Sequence, residues 1–152
     1  MLLFKASGAT YKRVVMHQVH AFRDLPLGLV GDEFVLLSKN RADCGTLEKQ
    51  IQYVAKILAP RAPKKGELEH LFPDVGAQAR WDWVVDLYWT KKLPAAFNLA
   101  DVVGLNESRY RTVQDFATLD EADGIAVTRH LSKINPDLLI DFIAYAERPD
   151  SK

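Results

Sequence analysis

Apolar and polar positions along this chain fall into runs with two different periods. Leu2–Ala6 is a short apolar run closed by Ser7-Gly8, which predicts a first strand. From Ala9 to His20 the repeat lengthens. Tyr11, Val14, Val15, Gln18 and Val19 recur at helical spacing, with Ser7 or Thr10 placed to cap the start. The β-branched pair Val14-Val15 keeps a strand over Arg13–Met16 open as the alternative. Phe34–Leu37 is apolar throughout, as expected of a strand covered on both faces and central in a sheet or barrel. The run through Ile51–Ile57 instead alternates, with Ile51, Tyr53, Ala55 and Ile57 on one face and Gln50, Gln52, Val54 and Lys56 on the other. The loop Asn40–Leu47 between these runs is rich in Asn, Asp and Gly. Gly31–Leu58 therefore predicts a strand–loop–strand unit around which the rest is organised.

The later chain continues the pattern. Ala59–Gly66 is a proline-punctuated basic loop, and Glu67–Phe72 predicts one helical turn before Pro73. A strand is predicted from Ala79 to Lys92, ended by Pro94, with Trp81, Trp83, Val85, Leu87 and Trp89 on one face. Phe97–Gly104 predicts a short helix with Asn98 near its start and Gly104 just past its end. Tyr110–Phe116 predicts a last strand without clean alternation. Asp120 caps a helix that runs to about Lys133. Asn135-Pro136 opens another, with Leu138, Leu139, Phe142, Ile143 and Ala146 as its apolar stripe. This order predicts an α+β fold: a small curved sheet or pseudo-barrel of about five to six strands, with helices packed at its ends. One domain over 1–147 and a frayed tail over 148–152 complete the expectation.

Composition narrows the function classes. The 152 residues are 48% hydrophobic and 26% charged, enough to bury a core unaided. Formal net charge is zero, so nucleic-acid binding would need a local basic patch. The single cysteine, Cys44, excludes an internal disulfide and argues against a cysteine zinc site. No apolar run approaches the roughly 18–20 residues of a membrane span. Met1–Lys5 is too short and wrongly ordered for a signal peptide. A soluble cytoplasmic protein is expected, and nothing in the sequence fixes its oligomeric state.

Each patch of candidate chemistry stands beside a plainer explanation. Three indoles on one strand face are packing residues first, yet Trp81 or Trp89 at a barrel mouth would suit stacking on a flat ligand. His17 and His20 are three apart, a metal-compatible spacing on a helix, but no carboxylate or cysteine completes a set nearby. No metal or cofactor is expected. Glu48-Lys49 beside Lys39 is either a catalytic lysine environment or a solvated loop with weak pairs. Lys39, Arg41, Lys49, Arg61, Lys64, Lys65, Lys91 and Lys92 lie in or beside predicted loops, where they suit phosphates or merely solubility.

The order of the pieces resembles the EVE domain, a relative of YTH and ASCH domains in the PUA-like group. Leu3–Ala6, a helix, the turn His17–Phe22, Gly31-Asp32-Glu33-Phe34-Val35-Leu36-Leu37, the strand Ile51–Ile57 and the segment Phe97–Gly104 carry the likeness, over about Leu2 to Asn135. The resemblance implies a pseudo-barrel whose pocket receives a base, often modified and flipped from DNA or RNA, against aromatic side chains. The matching positions are Lys5–Ser7, His20-Ala21-Phe22 and Ser38-Lys39. Where that family tends to have Trp-Gly this chain has His20-Ala21-Phe22, and Ser38 replaces an aromatic. The cage would then draw on Phe22, Tyr53, Trp81 or Trp89. Ser7, Ser38, Asn40 and Gln50 would read the base edge, and Lys39, Arg41, Lys49, Lys64 and Lys65 would hold phosphates. The expected partner is DNA or RNA bearing a modified base, or a free nucleotide. Two alternatives remain: a small ASCH-like hydrolase of acylated nucleobases using Glu48 and Lys49, and a protein-interaction module.

Overall fold

A computed structural model describes residues 1–25, 31, 33–74, 80–111 and 115–138. Strand β1 is Leu2–Ala6, helix α1 Gly8–His17, β2 Val19–Phe22, β3 Phe34–Lys39 and β4 Ile51–Ile57. Helix α2 is Glu67–Leu71, β5 Trp83–Phe97, β6 Phe116–Thr118 and α3 Glu121–Ile134. Short 3-10 turns occupy Arg41–Asp43, Leu99–Asp101 and Glu107–Tyr110. The apolar stripe of the expected last helix beyond Leu138, and the tail from Arg148, lie outside the described residues. No helix among the described residues is long and apolar enough to cross a membrane.

The fold is α+β, a six-stranded mixed sheet in the order β2-β5-β4-β3-β1-β6. β1 and β3 run parallel, and the other pairs are antiparallel. The apolar run Phe34–Leu37 forms an inner strand with every residue buried, as its lack of alternation predicts. Laid flat, the edge strands β2 and β6 would stand about 24 Å apart at ordinary strand spacing. Instead the rings of Phe22 on β2 and Phe116 on β6 meet edge-on at 5.5 Å. The sheet is therefore curled into a half-barrel.

Two cores lie on its two faces. The concave one is filled by Phe4, Phe22, Leu37, Ala55 and Ile57 and closed by Tyr11 and Val14 of α1. The other joins Leu3, Phe34, Leu36, Ile51 and Val54 to Leu99, Tyr110 and the α3 residues Val127 and Leu131. Asp120 accepts the Asp123 N–H at 2.8 Å, the cap expected for α3.

Four local expectations are corrected. The first helix stops at His17, because Gln18 adopts a left-handed conformation (φ 61°) and turns the chain into β2. His17 and His20 therefore do not share a helix face. Ile51 sits in the second core, apart from Tyr53, Ala55 and Ile57. Against β3, Leu37 pairs with Tyr53 but Ser38 with Ile51, so Gln52 is an extra residue that reverses the faces. The three tryptophans are likewise divided: Trp81 and Trp83 pack on the first core, Trp89 on the second. Between the pairs Val54–Lys91 and Lys56–Tyr88, β5 carries one more residue than β4. Trp89 takes φ 51° in that bulge, a position glycine normally fills. Pro94 does not end β5. Ile51 pairs with Phe97 and Tyr53 with Lys92, so the residues around Pro94 arch away from β4 and its missing N–H costs no ladder bond.

Candidate functional site

Because β1 and β3 are parallel, both chains leave the sheet at the same edge, where the Asn40 N–H donates to the Ala6 carbonyl at 2.8 Å. A cleft of about 450 Å³ opens there, lined by Lys5, Ser38, Asn40, Arg41, Gln50, Ile51, Leu99, Glu107, Tyr110 and Arg111. Ile51, Leu99 and Tyr110 give it an apolar floor belonging to the second core. Lys5 Nζ donates to the Tyr110 carbonyl at 2.5 Å. Burial holds that ammonium below the usual lysine pKa, and the Glu107 charge opposes the shift.

The polar wall is held by the backbone. The Gln50 N–H donates to Asn98 Oδ1 at 2.9 Å, and Gln50 Nε2 donates to the Lys39 carbonyl at 3.2 Å. Asn98 is itself fixed by a capping box with Asp101. Tyr110 donates its hydroxyl to Asp123; burial first, and that carboxylate second, push the phenol pKa up. Arg111 Nε is 2.6 Å from Glu107. Among the described residues, the side chains of Asn40 and Arg41 make no hydrogen bond or ion pair, and Arg41 is exposed. The cleft thus offers amide and hydroxyl groups for a heterocycle edge, an apolar floor for its plane, and arginines at the rim for negative charge.

Ser38 and Lys39 are successive residues of one strand and face opposite sides. Lys39 and Tyr53 consequently line a second hollow of about 270 Å³ against α1, with Tyr11, Val15, Met16 and Gln52. A β-carbon on Gly8 would come within 3.2 Å of Lys39 Cε and Asp43 Cβ, so glycine permits the close approach of this loop to α1. Glu48 accepts from the Gly45 N–H at 3.0 Å and from Lys39 Nζ at 2.8 Å. Those bonds hold its carboxyl at about 2, and the bond to Glu48 raises the lysine. Lys49 pairs instead with Asp101 at 3.6 Å. Glu48 and Lys49 therefore form no joint catalytic pair, and Lys39 is kept charged rather than nucleophilic.

The remaining expected site residues lie elsewhere. His20 and Phe22 are 4% and 1% exposed, inside the concave core. His20 stacks on Phe22 at 4.6 Å, and Phe4 meets both rings at 5.0 and 5.1 Å. These rings fill the space that a base would enter. His20 Nδ1 lies 3.1 Å from the Ala21 carbonyl and, among the described residues, Nε2 has no hydrogen-bond partner; burial pushes the imidazole down to about 4. Ser7 is exposed and bonds Thr10 at 3.0 Å. Trp81 packs on Phe72 at 5.1 Å and does not line the cleft, and Lys64 and Lys65 are exposed in the loop before α2. Their neighbour Arg61 is locked between Glu67 and Asp86, at 2.7 Å from each. His17 faces His70 at 6.4 Å between ring centres. Among the described residues, no group of three or more His, Cys, Asp or Glu side chains could hold a metal.

Leu99, Glu107, Tyr110 and Arg111 escaped the sequence reading. Only the spacing of Glu107 and Arg111, four apart, marked any of them. No protein-family model matches the chain, and no curated protein is significantly similar to it.

Proposed function

We propose that this is a non-catalytic nucleic-acid-binding domain of PUA-like, EVE-type architecture, acting in the cytoplasm, whose cleft takes a single base or nucleotide. The observation that carries the reading is the convergence of Lys5, Ser38, Asn40, Arg41 and Gln50 at the shared end of the parallel strands. Its volume suits one heterocycle with its sugar. Ser38, Asn40 and Gln50 address the base edge, while Arg41 and Arg111 stand where a phosphate would lie. The aromatic contact comes from Tyr110 in the floor, because His20 and Phe22 are sealed in the core. The base preference follows from the edge pattern, so modified and unmodified bases belong in one panel.

The test is fluorescence anisotropy with labelled DNA and RNA oligonucleotides, single- and double-stranded, across a panel of base modifications. Affinity is expected to fall steeply between about 50 and 200 mM salt. Gln50→Ala should relax base preference, and Arg41→Ala should weaken all oligonucleotides alike. Absence of binding to the whole panel at the lower salt would end the reading.

A further inference from the structure

Trp89 stands out from every other aromatic residue described. Among the described residues it is one of two non-glycine residues with positive φ, and it sits in the middle of the longest strand described. A bulky side chain in the left-handed region is a true backbone outlier, and such outliers gather where a side chain must be aimed. Glycine would hold the same bulge without strain, so the indole is present at a cost to folding. Thr90, the next residue of the bulge, donates to the side chain of Gln18, the other left-handed residue, and so ties the bulge to the end of α1.

The bulge aims the ring among lysines. Lys56 Nζ lies 5.1 Å and Lys91 Nζ 5.5 Å from its centre, while Phe34 backs it at 6.1 Å. Two ammonium groups over one half-buried indole form a local basic, aromatic patch on a chain whose net charge is zero. That pairing of a flat ring with positive charge is what a single strand's base and phosphates require.

We infer that Trp89, Lys56 and Lys91 form a second contact for single-stranded nucleic acid. The two ammonium groups swing off the indole to the flanking phosphates, and one base stacks on the ring face they uncover. The inference rests on the nucleic-acid reading of the cleft and extends it into a path. Ile51 and Leu99 of the second core line the cleft, and Trp89 packs against the same core. From Gln50 to Ala55, opposite the Trp89 bulge, β4 advances about 14 Å at about 3.4 Å per residue once the extra Gln52 is left out. A strand of several nucleotides spans that, within the usual site sizes of about 4–16.

The experiment uses the full chain carrying Trp81→Phe and Trp83→Phe, leaving Trp89 as its one indole. Single-stranded oligonucleotides of about 4 to 16 nucleotides are followed by anisotropy and by indole emission together. Binding should quench Trp89, and affinity should rise with length until the strand reaches from cleft to bulge. Trp89→Gly, which keeps the backbone conformation, should weaken the longer oligonucleotides about tenfold. The pair Lys56→Gln and Lys91→Gln should flatten the salt dependence without changing the fold. Binding by anisotropy with unchanged Trp89 emission and unaltered affinity of Trp89→Gly would overturn this inference and leave the cleft reading standing. No binding at any length would overturn both.

Discussion

Phe4 and Lys5 are successive residues of one strand and look into two regions of opposite character. Phe4 meets the rings of His20 and Phe22 in a space closed by the curl of the sheet. Lys5 reaches into a cleft that keeps four charged side chains, two amides and a hydroxyl beside an apolar floor. The concave side is where the aromatic pocket was expected, yet here it is occupied by the protein's own rings. The lesson is that curling a sheet does not by itself make a pocket. The size of the inward side chains decides, and Phe4, Phe22 and Phe116 leave none. In the proposed reading recognition falls instead to the strand ends, where the cleft lies.

The largest effect that would sharpen this contrast is on stability. Phe22→Ala should cost about 3–5 kcal/mol, since the ring is fully buried and the site is walled by other rings. Urea denaturation reads this as a lowered midpoint at an unchanged slope. The affinity of the folded fraction for an oligonucleotide should stay within about twofold. Lost affinity at preserved stability would move the site to the concave side.

Much of this fold was legible because it is local. Unbroken apolar runs found β1 and β3, alternation found β4, helical spacing found α1 and an aspartate cap found α3, while an asparagine cap with a following glycine marked the turn at Leu99–Asp101. What escaped belongs to register. The extra residue Gln52 beside β3, the extra residue at Trp89 and the arch around Pro94 are set by the partner strand, and nothing in their own windows announces them. The site divides the same way. Ser38, Asn40, Arg41 and Gln50 were visible because they flank one loop. Tyr110 and Arg111 arrive from some sixty residues further on, through the packing of a 3-10 turn onto the second core. Ser38 and Lys39 were expected to serve one pocket, but strand alternation sends them to two.

His20 gives the next effect, and it can be read without disturbing the rings. Its folded pKa of about 4 lies below the ordinary 6.5, so the unfolded chain binds the extra proton. The stability from neutral His20 is thus fully present above about pH 6.5 and is lost as pH falls toward 4. Its full size is about 3 kcal/mol. His130, lowered by partial burial, acts with the same sign, whereas Glu48 and Glu67, each at about 2, lose their stabilisation only below about 4.5. Chemical denaturation from about pH 7 to about pH 5, which takes in the upper part of that window, should show a fall in wild type that is smaller in His20→Leu. Equal slopes would mean that His20 is solvated.

On the open side the costs shrink. Tyr110→Phe leaves the buried Asp123 carboxylate without the hydroxyl it accepts from, though the Asn106 N–H remains at 3.2 Å. The expected loss is about 1–3 kcal/mol. Phenylalanine keeps the ring of the cleft floor and the carbonyl that holds Lys5, so the affinity of this variant should stay close to that of the wild type. Tyr110→Ala removes the ring as well and should lower affinity, and a folded Tyr110→Ala with unchanged affinity would detach the floor from recognition.

Arg41→Ala completes the series at the smallest stability cost. The guanidinium is exposed and makes no hydrogen bond or ion pair among the described residues, so thermal unfolding should move by no more than about 0.5 kcal/mol. Its effect belongs to binding. Removing one phosphate contact should lower the slope of log affinity against log salt by about 0.7 for a single strand. Arg41→Lys keeps the charge but loses the planar fork, so it should restore the slope and only part of the affinity. A variant as destabilised as Phe22→Ala would show that Arg41 supports the loop rather than a ligand. The contrast between a closed, structural interior and an open, recognising edge would then fail at its simplest point.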